Sequence, residues 1–329
     1  MTQSPQKFVA HDVSDLINAL PTQFGFRPAE SVVAIATHGP RRRFGFRMRM
    51  DVPSPEHVDE VAKKIVMHLA HQGAEGAIVI ALTEKQDLAL ALLDAVHGEL
   101  DAHGIDVIVR ARADGRRYWT DAYDDVPEGT AYSVSDHHLA IVHAVAAGQQ
   151  IVADRETLVA RFAPVGGERR EWLFEACEAL LDEIVPQVAR AGPDGLGEVG
   201  SAVVGPILDR ALAGGRLVDA DLLRVAVWVS SIAVRDRVWT RITRDNAEQM
   251  LQVLTQISRS VVPPFEPAVL SLASFAAWLT GDGTQALIAV ERALEADPDY
   301  SMARLVLGVL EGGVSPEHWG GFSEESLSS

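Results

Sequence analysis

Arginine, aspartate and histidine supply the few groups in this 329-residue sequence whose placement suits chemistry. Arg27 sits in Phe24-Gly25-Phe26-Arg27-Pro28, where Gly25 allows a tight backbone and Pro28 biases the arginine toward an extended conformation. A guanidinium presented there, at the entrance to a buried strand, suits an anionic ligand or an ion pair across a domain interface. Ser135-Asp136-His137-His138 opens a helix read to Ala147, with Ser133 or Ser135 as cap and Asp136 at the positive end of the helix dipole. Asp121 stands with Asp124 and Asp125 beside Tyr118, Trp119 and Tyr123 in a loop-rich stretch. Loops over the carboxyl ends of parallel strands are where α/β sheets place ligands. Arg27, Asp121, Asp136 and His137 are therefore the candidate ligand-binding set. The plainer reading of the acidic stretch is a solvated loop anchored by its aromatics.

Arg41, Arg42 and Arg43, followed by Arg47 and Arg49, form the one basic concentration. On an alternating strand Arg43, Arg47 and Arg49 share a face opposite Phe44, Phe46, Met48 and Met50. These three are the candidate anion or partner contact, weighed against an ordinary solvated strand face. Arg110, Arg112, Arg116 and Arg117 extend the patch if their strands lie side by side. The histidines give no metal set. His138 and His143 miss the helical i, i+3 or i+4 spacing, and His68 and His71 have no further ligand nearby. Cys177, among Trp172, Leu173, Phe174, Leu180 and Leu181, reads as a small buried hydrophobe. Val234-Arg235-Asp236-Arg237 reads as local ion pairing between two helices. No phosphate loop, dinucleotide fingerprint or nucleophile elbow is present, so no catalytic residue and no cofactor is predicted.

Composition bounds the possibilities. Lys plus Arg number 29 against 46 Asp plus Glu, a net charge of −17 that opposes general nucleic-acid binding. Hydrophobic residues make up 47% and charged residues 23%, an ordinary globular mixture. The single cysteine excludes an internal disulfide framework. No apolar run reaches the ~20 residues of a membrane-spanning helix, and no leader is read at the start. The expectation is a cytoplasmic protein with no membrane partner.

The elements that must position these groups fall into two rhythms. Asp12–Leu20 reads as a helix stopped by Pro21, and Ser31–Thr37 with Phe44–Asp51 as an antiparallel hairpin. Helices over Glu56–His71 and Gln86–His103 alternate with strands over Ala77–Leu82 and Ile105–Val109, and Tyr118-Trp119 opens a further strand. Strands separated by helices predict crossovers, hence a mixed, mostly parallel, three-layer α/β sheet. From Glu168 onward strands disappear. Helices are predicted at Glu168–Arg190, Glu198–Ala213, Asp219–Val234, Asp236–Arg241, Ala247–Val261, Pro267–Leu279, Thr284–Ala296 and Ser301–Glu311, with Ala191–Gly197 as a loop. The domains are thus 1–165 (α/β), 166–322 (all-α) and a polar tail, 323–329.

Within the helical part, Ala286, Val290, Ala293 and Pro298 match the pattern of a second tetratricopeptide helix. Ala273, Ala277 and the Gly281-Asp282-Gly283 turn suit the first. The match is about one repeat, where arrays need about three to bury a continuous core, so a hairpin closing the domain and a peptide-binding groove both remain open.

Several blocks together resemble an actinobacterial family known as domain of unknown function 4192. They are Leu20 through Val33, Val145–Gly148 with Asp154–Leu158, Ala233–Trp239, Val262-Pro263-Pro264, and Ala276–Trp278 through Tyr300. The resemblance implies a cytoplasmic bacterial protein with an α/β front half and a helical back half, and it carries no catalytic residue.

Two functions are compatible with these features. The first is a non-catalytic regulatory or scaffold protein that binds a protein partner through its helical half. The second is an enzyme or small-ligand binder, of an anion or nucleotide, at the carboxyl edge of the sheet.

Overall fold

Asp12 caps the first helix, α1 (Val13–Phe24): its carboxylate accepts the Asp15 amide at 2.8 Å. Pro21 does not stop this helix. The ring removes one ladder bond, yet the helix continues a further turn to Gly25. There a left-handed φ of 76° ends it, with the Gly25 amide on Pro21 O. The computed structural model describes residues 10–121 and 126–322. Tyr123, Asp124, Asp125 and the tail 323–329 lie outside the described residues.

The hairpin forms as expected from β1 (Ser31–His38) and β2 (Arg43–Asp51). Then come α2 (Val58–His71), β3 (Gly76–Leu82), α3 (Gln86–Ala102), β4 (Asp106–Ala113), β5 (Arg117–Thr120) and β6 (Thr130–Ala131). The sheet order is β2-β1-β3-β4-β5-β6. It is mixed, but not mostly parallel: only β3 and β4 pair in parallel, and the other neighbours are antiparallel. The helix-between-strands rule does hold, because α2 joins β2 to β3 and these run the same way. The hairpin partner β1 lies between them and turns one parallel contact into two antiparallel ones.

One face of the sheet is covered by α2 and α3. Val32, Ala34 and Ala36 of β1 and Ala77, Val79 and Ala81 of β3 pack with Ile65, Val66 and Leu69 of α2 and Leu92, Leu93 and Val96 of α3. On the other face Val33, Ile35, Ile78 and Ile80 are buried too, so these central strands read as continuous apolar runs rather than alternating ones. Arg47 reaches from that face to Gln23 O, and Arg49 lies over the Phe26 ring. The end of α1 therefore lies against the face opposite α2 and α3. Helix α4 (Leu139–Ala146) contacts α1. It starts after His138 without a side-chain cap, so neither Ser133 nor Ser135 caps it.

One compact unit runs to Arg155 and a second begins at Glu156. The second is helical throughout its described residues: α5 (Arg155–Phe162), α6 (Gly167–Leu212), α7 (Asp219–Val229), α8 (Ile232–Thr240), α9 (Ala247–Ser260), α10 (Glu266–Leu279), α11 (Gly283–Ala296) and α12 (Ser301–Glu311). The loop expected over Ala191–Gly197 shrinks to one break in α6. Gly192 alone leaves the helical region, at φ 63° and ψ 178°, and Pro193 restarts the helix. The helix expected over Asp219–Val234 ends early, because Ser231 is extended and the Ser230 hydroxyl bonds Val227 O at 2.6 Å. In the hairpin near the end, Ala273, Ala277, Ala286 and Ala293 are fully buried, and Ser274 Oγ donates to Ala286 O at 2.6 Å. Every residue of α10 is buried. Among the described residues no helix is long and apolar enough to cross a membrane.

Candidate functional site

Of the predicted ligand-binding set, the fold brings Arg27 and Asp136 into an ion pair. Gly25 turns the chain, Phe26 is buried and bridges to Val152, and Arg27 emerges at the edge of that anchor. The loop before α4 is stapled to α1, because Asn18 donates to Ser133 O and accepts the Ser135 amide. Asp15 faces His138 at 3.4 Å. The His11 amide holds the Asp15 carboxyl below its usual range, with help from His138 and against burial. His137 is exposed, its amide donating to Ser135 Oγ. Asp121 is held elsewhere. It accepts Arg110 Nε at 2.5 Å, and the same guanidinium reaches Asp94 on α3 at 2.6 Å. The Arg27–Asp136 pair is largely solvated, which limits such a bridge to about 0–1 kcal/mol.

The arginines of β2 do not all share one face. A register shift between Ile35 and Thr37 places Arg43 opposite His38 and Phe44 opposite Thr37, while Arg47 and Arg49 stand opposite Ile35 and Val33. A bulge adds one residue to a strand and flips the residues beyond it to the other side. Phe46, Met48 and Met50 pack on the α2–α3 core as expected, but Phe44 is exposed. Arg49 pairs with Asp51 at 2.6 Å. Arg110 and Arg112 do not extend this patch, because β1 and β3 separate β4 from β2 and both side chains contact α3.

Two features escaped the sequence. The first is Arg112, read as lying past the end of a strand at Val109. It is 5% exposed, with its guanidinium 3.7 Å from the centroid of Trp119 and 3.5 Å from Gln86 Oε1. Burial pushes its pKa below the usual arginine value, against the field of Asp114. Past the end of β3, Glu30 accepts Thr83 Oγ1 at 2.9 Å and faces Lys85 Nζ at 3.1 Å. Burial pushes the Glu30 carboxyl up, and these bonds outweigh it, so the net shift is downward.

The second is on α6. Leu173, Cys177, Leu180 and Ile184 face the core, as the reading of Cys177 required. About a quarter-turn away a second apolar stripe points outward: Phe174, Leu181, Val185 and Val188, at helical spacings of seven, four and three. Phe174 is 41%, Val185 59% and Val188 38% exposed. Glu171, Glu175, Glu178 and Asp182, all exposed, border its outer edge. The sequence contained this signal as a double stripe, but one apolar helix face was enough to explain the burial it had to account for.

Elsewhere in the helical unit, Arg235 is buried and bonded to Asp236 Oδ1 and Tyr300 Oη. Trp239, Phe275, Trp278, Trp319 and Phe322 form an aromatic cluster packed mostly edge to face. A cleft of about 360 Å³ is lined by Arg169, Arg216, Asp219 and Gln256. Among the described residues no group of three or more His, Cys, Asp or Glu is placed to hold a metal ion.

The sequence matches the family described as "Domain of unknown function (DUF4192)" over residues 14–317. No curated protein and no solved structure matches it.

Proposed function

For this chain, which belongs to the DUF4192 family over nearly its whole length, we propose a regulatory or scaffold role in which the helical unit binds a protein partner. The observation that supports the reading is the outward stripe Phe174–Leu181–Val185–Val188 on α6. Three of these side chains, Phe174, Val185 and Val188, are exposed and Leu181 is half-buried between them, and such patches mark interaction surfaces. The acidic border of Glu171, Glu175, Glu178 and Asp182 selects the occupant. A second copy would bring like charges together, whereas an amphipathic segment carrying Lys and Arg beside its apolar face meets both features.

On this reading the contact lies on α6 rather than on the tetratricopeptide-like pair. A repeat that binds a peptide must open one helix face to solvent, and α10 has none. The hairpin acts as the core of the unit.

The test is affinity capture with wild type and a Val185→Glu, Val188→Glu double variant. Both positions are exposed, so the variant keeps its thermal midpoint within a degree or two. A stoichiometric partner held by wild type and lost by the variant, with binding that weakens as salt rises, is the expected outcome. Equal capture by both proteins contradicts the reading.

A further inference from the structure

The parallel pair β3–β4 has its carboxyl edge at Leu82 and Ala113, and the first turn of α3 begins beside it at Gln86. Strand ends of this kind, next to a helix N-terminus, are where α/β folds seat ligands. Position alone does not make a site, and here Arg112 adds an independent feature. It is the most deeply buried cation of this unit, yet no carboxylate lies within ion-pair distance of it among the described residues. Its one hydrogen bond is the long contact to the neutral amide of Gln86. A buried charge is tolerated when an opposite charge meets it.

Asp114 lends Arg112 its field but forms no ion pair with it among the described residues. Asp114 accepts the amides of Arg116 and Arg117 at 2.8 and 2.7 Å in the β4–β5 turn. The guanidinium is also held rigidly. It stacks on Trp119, whose Nε1 donates to Pro127 O at 3.1 Å. Gly129 lies so close beneath that indole that a Cβ there would stand 2.4 Å from Cε2. Stacking fixes the plane of the fork and leaves its N–H groups directed along it. Helix α3 has no side-chain cap, and its exposed first turn, which carries Asp87, leaves its amides open to an acceptor. Gln86 is exposed, so solvent reaches the site past a single neutral side chain.

We propose that the β3–β4 carboxyl edge binds the phosphate group of a small molecule, between the Arg112 guanidinium and the first-turn amides of α3. This goes beyond the partner-binding reading and does not rest on it. Arg112 supplies the charge and the directed fork, the amides and helix dipole add to it, and Trp119 and Gly129 hold the fork in place.

Inorganic phosphate is the first probe, added to the full chain at constant ionic strength with chloride as control. Wild type gains several degrees in thermal midpoint, and calorimetry shows one site. The diagnostic variant is Gln86→Glu, which sets a carboxylate where the ligand's oxygens would lie. It raises the midpoint in the absence of phosphate and abolishes the phosphate response. Arg112→Gln also abolishes the response. Because this variant risks misfolding, the Gln86→Glu result decides. A phosphate response no larger than that of chloride, or one that survives Gln86→Glu, overturns the proposal. So does tighter binding of a phosphoserine peptide than of a nucleoside monophosphate, since the ligand would then be another protein.

Discussion

At Gly200 a hydrogen stands where any other residue would place a methyl group 2.3 Å from Val234 Cγ2 and 2.8 Å from the Trp228 ring. The close approach of α6 to α8 depends on that missing carbon. Gly200→Ala is expected to cost about 1–3 kcal/mol, as overpacked cores do, read as a lower denaturation midpoint. An unchanged midpoint would mean that α8 is free to move away. Asp12→Ala removes the cap of α1 and costs about 1 kcal/mol by the same measurement. The carboxyls of Asp15, Glu30 and Asp114 are all held below their usual range. A lowered folded pKa gives stability that is complete above the ordinary carboxyl value of about 4 and is lost as pH falls through the lowered one. Their contribution to stability therefore declines as pH falls below about 4. Glu30→Gln makes the decline shallower, and an identical acid profile for that variant would count against the Thr83–Glu30–Lys85 group.

Elements show where the sequence was legible. Helices with one clear apolar stripe, α2, α3, α9 and α11, stand within a residue or two of their expected ends, because burial of that stripe fixes both phase and length. Strands β1 to β5 and the antiparallel hairpin were found too, but neither β6 nor the place of β1 between β2 and β3, which leaves one parallel pair in the sheet. Local rules failed where tertiary contacts offset a local penalty. Pro21 stays inside α1, a single Gly192 replaces a seven-residue loop, and the β2 bulge separates Arg43 from Arg47. Of the candidate site, Arg27 and Asp136 do meet, whereas Asp121 is drawn to Arg110, and Arg112, read as a possible extension of the basic patch, is buried. Isolated arginines on a strand give no sign of their depth until the helix that covers them is placed.

The segment after α12 yields a prediction at this same scale. Trp319 and Phe322 pack edge to face on Phe275, Trp278 and Trp239, and Trp278 Nε1 donates to Val314 O at 2.9 Å. A chain ending at Gly312 uncovers these rings. Tryptophan emission then shifts to the red and the thermal midpoint drops, whereas unshifted emission would show that the segment covers nothing.

The whole molecule carries its −17 charge together with an apolar stripe edged by carboxylates. On the proposed reading, a basic partner is brought in by the net field and retained by apolar contact on α6. The most direct measurement is photo-crosslinking from position 185 in native extract, with the same photoreactive residue at Asp59, exposed on α2, as control. The account predicts one crosslinked peptide, amphipathic and rich in Lys or Arg, that is seen from position 185 only and disappears when Val188→Glu is added. Crosslinks to another copy of this chain, or the same products from both positions, would contradict it.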